Sequence, residues 1–256
     1  MISAESIQKY IHNKELTVKV FGQIDSTNAE ARRYAAAAES FSPVLFVAEE
    51  QSAGRGRLGR SFLSRAACGI YMSLLYFTDH GLADAVNVTT AAAVAVAAAI
   101  ESVTGNPMKI KWVNDVYNES GKVCGILAET LPVEGRIAII VGVGINTGDI
   151  SFPEELQGIA STVGDLHGED ARLIAEVTNG LMSYAADPSD RSYMQGYRAR
   201  FMLTDAYVDL LRAGERIACG RVLGVDEDGG LLFLPDGEDA PQTVRSGEVS
   251  VRKKQS

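Results

Sequence analysis

The sequence predicts an α+β fold: a mixed β-sheet with packed helices over residues 1–203, then a small antiparallel β-barrel over 204–256. Three observations predict it. Strand-like and helix-like runs alternate through the first two hundred residues. Val88–Val103 is an alanine- and valine-rich run whose one charge is Glu101, which suits a helix buried on most sides. After Leu203 the texture changes to five short β runs broken by Ala213-Gly214, Asp228-Gly229-Gly230 and Asp236-Gly237.

Composition sets the bounds. The 256 residues are 46% hydrophobic and 22% charged with 25 glycines, which excludes a disordered or fibrous chain. Twenty-four basic against thirty-three acidic residues give a net charge of −9, unsuited to general binding of nucleic acid or anionic membrane. An anion must therefore meet a local basic patch. Cys68, Cys124 and Cys219, with His12, His80 and His167, are too scattered for a zinc site or a disulfide framework. The opening residues carry no apolar leader, and the most apolar stretch, Ala91–Ile100, is too short for a bilayer. A cytoplasmic protein is expected.

In chain order, Thr17–Phe21 reads as a strand that hands over at Asp25-Ser26-Thr27-Asn28 to a helix over Ala29–Ala38. Thr27 and Glu30 have the spacing of a capping box. Val44–Glu49 and Ile70–Phe77 read as strands, as do Met108–Trp112, Lys122–Glu129 and Arg136–Gly144, joined by turns. Ala171–Ala186 and Asp190–Phe201 read as helices. The C-terminal β runs are Tyr207–Leu211, Arg216–Val225, Leu231–Leu234, Gln242–Arg245 and Val249–Val251.

Four constellations carry chemistry. Gln51–Arg60, with Arg65 beyond it, holds four arginines and no acid. Its glycines admit close backbone approach and its guanidinium forks match phosphate or carboxylate oxygens, so it reads as an anion-binding loop. Gly54, Gly56 and Gly59 spell G-x-G-x-x-G, but no helix opens at the third glycine and no Gly-Lys-Ser/Thr follows, so neither a dinucleotide fold nor a P-loop is expected. In Lys109–Asp115, period-two alternation puts Lys109 and Lys111 on one face, opposite Ile110 and Trp112. That is either a cationic site ending in Asn114-Asp115 or a solvated edge strand. Gly121–Glu129 has an interior glycine, Gly125, marking a bulge or close approach, and Cys124 there reads as a small core residue. Val141–Asn146 is a buried strand whose glycines leave room for something flat or for another backbone. The hydroxyl and amide cluster at Asp25–Asn28 serves either a ligand or capping alone.

Together these motifs resemble the biotin–protein ligases, that is, the biotin–[acetyl-CoA-carboxylase] ligase family. The resemblance rests on D-S-T-N at 25–28, Q-S-A-G-R-G-R-L-G-R at 51–60, K-W-V-N-D at 111–115, G-K-V-C-G-I-L-A-E at 121–129 and G-V-G-I-N at 142–146, in the family's order. It implies a catalytic domain like that of class II aminoacyl-tRNA synthetases and an SH3-like C-terminal domain, whose end Ser246–Arg252 resembles. Two positions depart: Val113 replaces the family's usual proline, and Arg60–Ala67 lacks the common tryptophan and Ser-Pro turn. With the catalytic pattern starting by residue 17, no DNA-binding helix-turn-helix domain is expected at its front.

The resemblance implies ATP-dependent activation of biotin to biotinyl-5′-AMP, then transfer to a lysine of a biotin carboxyl carrier protein. Biotin would be bound by Ser26, Thr27, Asn28, Gln51, Gly54, Arg55, Arg57, Lys111, Gly125 and Gly144. Gly56, Arg57, Arg60, Trp112, Asn114, Lys122 and Asn146 would bind ATP or the adenylate. Lys111, Arg55, Arg57 and Asp115 would be catalytic, Asp115 as a base or orienter for the acceptor lysine and as a Mg²⁺ ligand. The substrate carboxylate is itself the nucleophile, so charge neutralisation and alignment are what the enzyme must supply. Family members are often dimeric through the central sheet. Two rivals are a lipoate or octanoate ligase or transferase, and a non-enzymatic nucleotide or nucleic-acid binding module. The polar Ser26/Thr27/Gln51 cluster favours a ureido ring over an alkyl chain, and the acidic chain disfavours nucleic acid.

Overall fold

The computed structural model describes residues 2–37, 40–79, 87–212, 214–245 and 249–253. His80 and positions 246–248 of the C-terminal motif lie outside them.

Seven strands form the main sheet: β1 (Thr17–Ile24), β2 (Val44–Gln51), β3 (Gly69–Thr78), β4 (Lys109–Lys111), β5 (Asp115–Tyr117), β6 (Lys122–Val133) and β7 (Arg136–Asn146). Their order is β1-β2-β3-β7-β6-β5-β4, with β1 and β2 parallel and every other pair antiparallel. The sheet is thus mixed, and β4 is an edge strand.

Strand alternation sends two sets of side chains to opposite faces. Leu45, Val47, Met72, Leu74, Val141, Val143 and Ile145 join the larger core with helices α3 (Val88–Thr104) and α4 (Asp170–Ala186). Val44, Phe46, Leu75, Ala138 and Ile140 pack on the other side against Ala31 and Ala35 of α2 (Thr27–Ala37). Each large aliphatic side chain fully buried this way contributes roughly 1.5–3 kcal/mol. A short helix, α1 (Ala4–Gln8), buries Ile7, and α5 (Tyr193–Arg200) buries Met194 and Tyr197. No helix among the described residues is long and apolar enough to cross a membrane.

Helix α2 begins one residue earlier than the capping-box spacing predicts. Ser26 occupies the cap, its oxygen 3.5 Å from the Ala29 N–H and its carbonyl accepting from Glu30 N–H. Glu30 turns instead to Arg33 at 2.7 Å, because Arg33 also grips Asp25 and draws the acid away from the cap.

The C-terminal strands β8 (Tyr207–Arg212), β9 (Glu215–Val225), β10 (Leu231–Pro235), β11 (Gln242–Val244) and β12 (Val249–Lys253) form an antiparallel sheet in the order β11-β10-β9-β8-β12. Among the described residues β11 and β12 are its edges and do not pair with each other, so the expected barrel is an open, five-stranded sheet. Val208, Leu210, Val222, Leu231 and Phe233 join the main core instead of closing a lumen of their own.

Candidate functional site

A cleft of about 1070 Å³ opens on the α2 side of the sheet, and the sequence makes its floor. In Val141-Gly-Val-Gly-Ile the valines and isoleucine point into the core, so the two glycines point the other way, beside α2. Gly125 is the register partner of Gly144, so two adjacent strands present bare backbone side by side. The structure fills part of this space with the ring of Phe62: a Cβ on Gly144 would stand 2.5 Å from Phe62 Cε1. Gly142 faces Asn28 in the same way.

One end of the cleft is an uncharged network. The Thr27 N–H and hydroxyl both donate to Gln51 Oε1, at 2.8 and 3.1 Å, and Gln51 Nε2 donates to Ser64 Oγ at 2.9 Å. Ser26, Thr27 and Asn28 are all buried. Asn28 is occupied by protein partners, its oxygen facing Ser73 Oγ at 2.6 Å and its nitrogen donating to Glu129 at 2.8 Å. It lines the cleft while bracing α2 to the sheet. Gly54 lies outside the lining; a Cβ there would meet Ser64 Oγ at 2.5 Å, so its place is dictated by packing.

The arginine loop is a compact turn. Gly56 N–H donates to the Arg60 carbonyl at 2.7 Å, Phe62 N–H donates to that of Gly54 at 3.0 Å, and Leu58 is left-handed at φ 57°. Arg55, Gly56, Arg57 and Arg60 all line the cleft. Arg57 reaches across to Asn114 Oδ1 at 3.0 Å. Burial pulls its guanidinium below the ordinary value, while Asp115 pulls the other way.

The opposite wall is the Lys111–Asp115 segment. Lys109 is exposed and Ile110 and Trp112 are buried, as alternation predicts, although β4 ends at Lys111 and a turn with a cis Trp112–Val113 peptide follows. Lys111 Nζ sits 5.8 Å from the Tyr117 ring centroid, within cation–π range. Burial, with Asp115 adding to it, pushes the Tyr117 hydroxyl up to about 12. Lys122 Nζ lies 2.7 Å from Asp115 Oδ1. Asn114 donates to the Ile126 carbonyl and Asn146 to that of Ser161, both at 2.9 Å, so each amide holds neighbouring chain in place. Trp112 donates to the Gly229 carbonyl at 2.9 Å. Cys124 is fully buried, and burial pushes its thiol up, as fits a core residue.

The lining thus gathers Arg55, Arg57, Arg60, Lys111 and Lys122 against the single acid Asp115. Five cations to one, in a chain of net charge −9, suit a ligand carrying several negative charges. Asp115, the acid of this lining, meets Lys122 at 2.7 Å, and among the described residues no three His, Cys, Asp or Glu side chains gather into a protein-only metal site.

Sequence reasoning missed Phe62, Tyr117, the loop carrying Phe152, Leu156 and Ile159, and Leu211 of the C-terminal sheet, all of which line the cleft. Phe62 had a signal, since the floor glycines require something flat. The far loop had none, being brought in by Lys122 N–H donating to Ile159 O and Ser161 N–H donating to Lys122 O.

The mixed sheet thus carries a glycine-floored, cation-rimmed cleft beside the N-terminus of α2. Residues 20–146 match the model of the biotin/lipoate A/B protein ligase family, and the chain belongs to that family. It is 34% identical over 217 residues to the bifunctional ligase/repressor BirA of Bacillus spizizenii, covering 81% of this chain and 66% of that protein. To the biotin–[acetyl-CoA-carboxylase] ligase of Mycobacterium tuberculosis it is 29% identical over 242 residues, covering 90% and 87%. The solved biotin protein ligase from Aquifex aeolicus in complex with biotin and ATP matches with a TM-score of 0.73 and 28% identity, covering 93% of this chain and 99% of that one. The chain spans 66% and 61% of the length of two Bacillus ligase/repressors.

Proposed function

We propose that this chain is a biotin–protein ligase that activates biotin with ATP and transfers it to a lysine of a biotin carboxyl carrier protein. The observation that carries the reading is a single cleft joining the neutral Thr27/Gln51 network to five cations across a glycine floor. A ureido ring needs donors and acceptors without charge, whereas a carboxylate and a triphosphate need neutralisation. The Aquifex aeolicus structure, which holds biotin and ATP, has the same fold over nearly the whole chain.

In the first step an oxygen of the biotin carboxylate attacks the α-phosphorus, the α–β phosphoanhydride bond breaks, and pyrophosphate leaves. Lys111 would stand between the two anions, with Arg57 and Lys122 drawing the phosphates together. In the second step the neutral amine of the carrier lysine attacks the acyl carbon, the C–O bond to AMP breaks, and the amine loses a proton. Because Lys122 sits against Asp115, Asp115 is best assigned as an orienter. Magnesium would enter with ATP and screen its phosphates. Asn28, Asn114 and Asn146 act by bracing the walls, and Gly125 and Gly144 by keeping the floor flat. Residues 1–203 form the catalytic domain, and 204–256 a C-terminal domain that adds Leu211 to the cleft. A cytoplasmic setting, where ATP and a carrier protein meet, is part of this reading.

The test is biotin- and ATP-dependent pyrophosphate release, with lipoate and octanoate in parallel and a carrier domain added second. Release with biotin, followed by label on the carrier lysine, is expected. Release with lipoate or octanoate alone would transfer the chain to the lipoyl branch of its family.

A further inference from the structure

The Lys111–Asp115 segment has little sheet of its own, since β4 and β5 are three residues each at the sheet's edge. The later chain holds it. Met202 N–H donates to the Ile110 carbonyl at 3.0 Å, the Tyr197 hydroxyl donates to that of Val113 at 3.3 Å, and Trp112 Nε1 donates to that of Gly229 at 2.9 Å. The last contact spans the two sheets, and its acceptor is fixed. In the Asp226–Gly230 turn, Asp226 Oδ1 accepts from the N–H groups of Asp228 and Gly230 at 3.0 and 2.7 Å. Arg245 pairs with Asp226 at 3.0 Å, and Arg191 reaches Asp228 at 3.7 Å. Gly229 has φ +76°, and a Cβ on it would stand 2.7 Å from Thr90 Cγ2 at the start of α3. This glycine alone lets the turn lie against the helix with its carbonyl toward the indole.

We propose that Trp112 is a positioning residue, and that the Asp226–Gly230 turn of the C-terminal sheet is the anchor that sets Lys111 and Asn114 for adenylation. The indole borders the cleft but is only 4% exposed and gives its donor to Gly229, so its main action is through the backbone on its two neighbours. Asn114 in turn accepts from Arg57, so the anchor reaches the arginine loop. The inference rests on the ligase reading.

Trp112 is the chain's single tryptophan, so its emission reports the contact independently of catalysis. Gly229→Ala displaces the acceptor without altering a cleft-lining residue, and Trp112→Phe removes the donor while keeping an aromatic ring. Gly229→Ala is expected to red-shift the emission and open the indole to acrylamide quenching. Both variants should lower kcat for pyrophosphate release roughly ten-fold or more, the scale of a small misplacement of reacting groups. Biotin affinity should stay close to that of the unaltered chain, while Gly229→Ala, strained at φ +76° and crowded by Thr90, should also lose some Tm. The double variant should lose no more kcat than either single one, because both cut one contact. A shifted emission with unchanged kcat overturns the proposal, as do kcat losses that add, or a fall of biotin affinity alongside that of kcat. Absence of biotin-dependent release from the unaltered chain removes the ligase reading and this role with it. Unshifted emission in an otherwise active Gly229→Ala chain removes only the anchor.

Discussion

Phe62 lies directly on Gly144: a single methyl on the glycine would stand 2.5 Å from ring atom Cε1 and 2.7 Å from Cζ. The same ring is 3.2 Å from where a Cβ of Gly125 would be. The flat floor is therefore covered by the chain's own aromatic, and a substrate that uses this floor must share it with the ring. Gly144→Ala is expected to weaken biotin binding about ten-fold, or ~1.4 kcal/mol. Adding Phe62→Ala should recover part of that loss, because the methyl conflicts with the ring. Titration calorimetry on the two variants checks this, and a double variant no better than Gly144→Ala would place the conflict elsewhere.

Arg57 joins the loop to the opposite wall through Asn114 at 3.0 Å, a bridge across the cleft. Arg57→Ala should let the acyl-adenylate escape to solvent, raising its release rate roughly ten- to a hundred-fold through loss of a charge-assisted contact. Arg57→Lys should restore little, since an ammonium cannot fork between an amide and a phosphate. Release of labelled intermediate into filtrate, measured before carrier is added, separates this from slower adenylation.

How much of this could be read from residues alone follows physical lines. The glycines of Val141–Asn146 alternate with valines, so the strand and its bare face were both legible. The two lysines of 109–111 and the buried Ile110 and Trp112 were legible for the same reason; the strand is an edge, and of the two lysines Lys111 lines the cleft while Lys109 is exposed. The cap of α2 was misplaced because Glu30 has a second partner, Arg33, that spacing rules do not see. Asn28, Asn114, Asn146 and Trp112 were read as ligand contacts; all four line the cleft, and each also carries a hydrogen bond to another part of the chain. Sequence marks which polar residues gather at a site; the fold adds which protein groups hold them there. Leu211 and Ile159 had no local signal at all, because tertiary contacts bring them to the cleft.

Lys122 and Asp115 meet at 2.7 Å with side chains 28% and 24% exposed, a pairing that salt screens only partly. Lys122→Met should raise KM for ATP about ten-fold by removing one of five cations and leaving the carboxylate unbalanced. Biotin affinity should hold, since the Thr27/Gln51 end is untouched. Asp115→Asn should leave the magnesium dependence of pyrophosphate release unchanged. A requirement for markedly more magnesium in that variant would show Asp115 to be an ion ligand after all.

Glu101, at the end of α3, accepts from Arg200 of α5 at 2.5, 3.1 and 3.2 Å and from Met108 N–H at 2.9 Å, just before β4. Burial pushes its carboxyl up, but the Arg200 guanidinium and the Met108 N–H outweigh that and hold it below the ordinary carboxylate range. A carboxyl whose value is depressed in the folded state adds stability at neutral pH, fully present above its unfolded value of about 4.3 and lost as pH falls through the folded one. Arg200→Met removes the partner and leaves burial to act alone. The pair is about three-quarters buried, so the variant should be less stable than the unaltered chain near neutral pH by roughly 1–3 kcal/mol. Below about pH 4 the gap should narrow, because the stranded carboxyl of the variant protonates while the unaltered chain loses its ion pair. Urea unfolding at the two pH values measures both gaps. A gap that does not change with pH would mean Arg200 holds α5 by packing and its bond to Gly196 O, with no contribution from its charge.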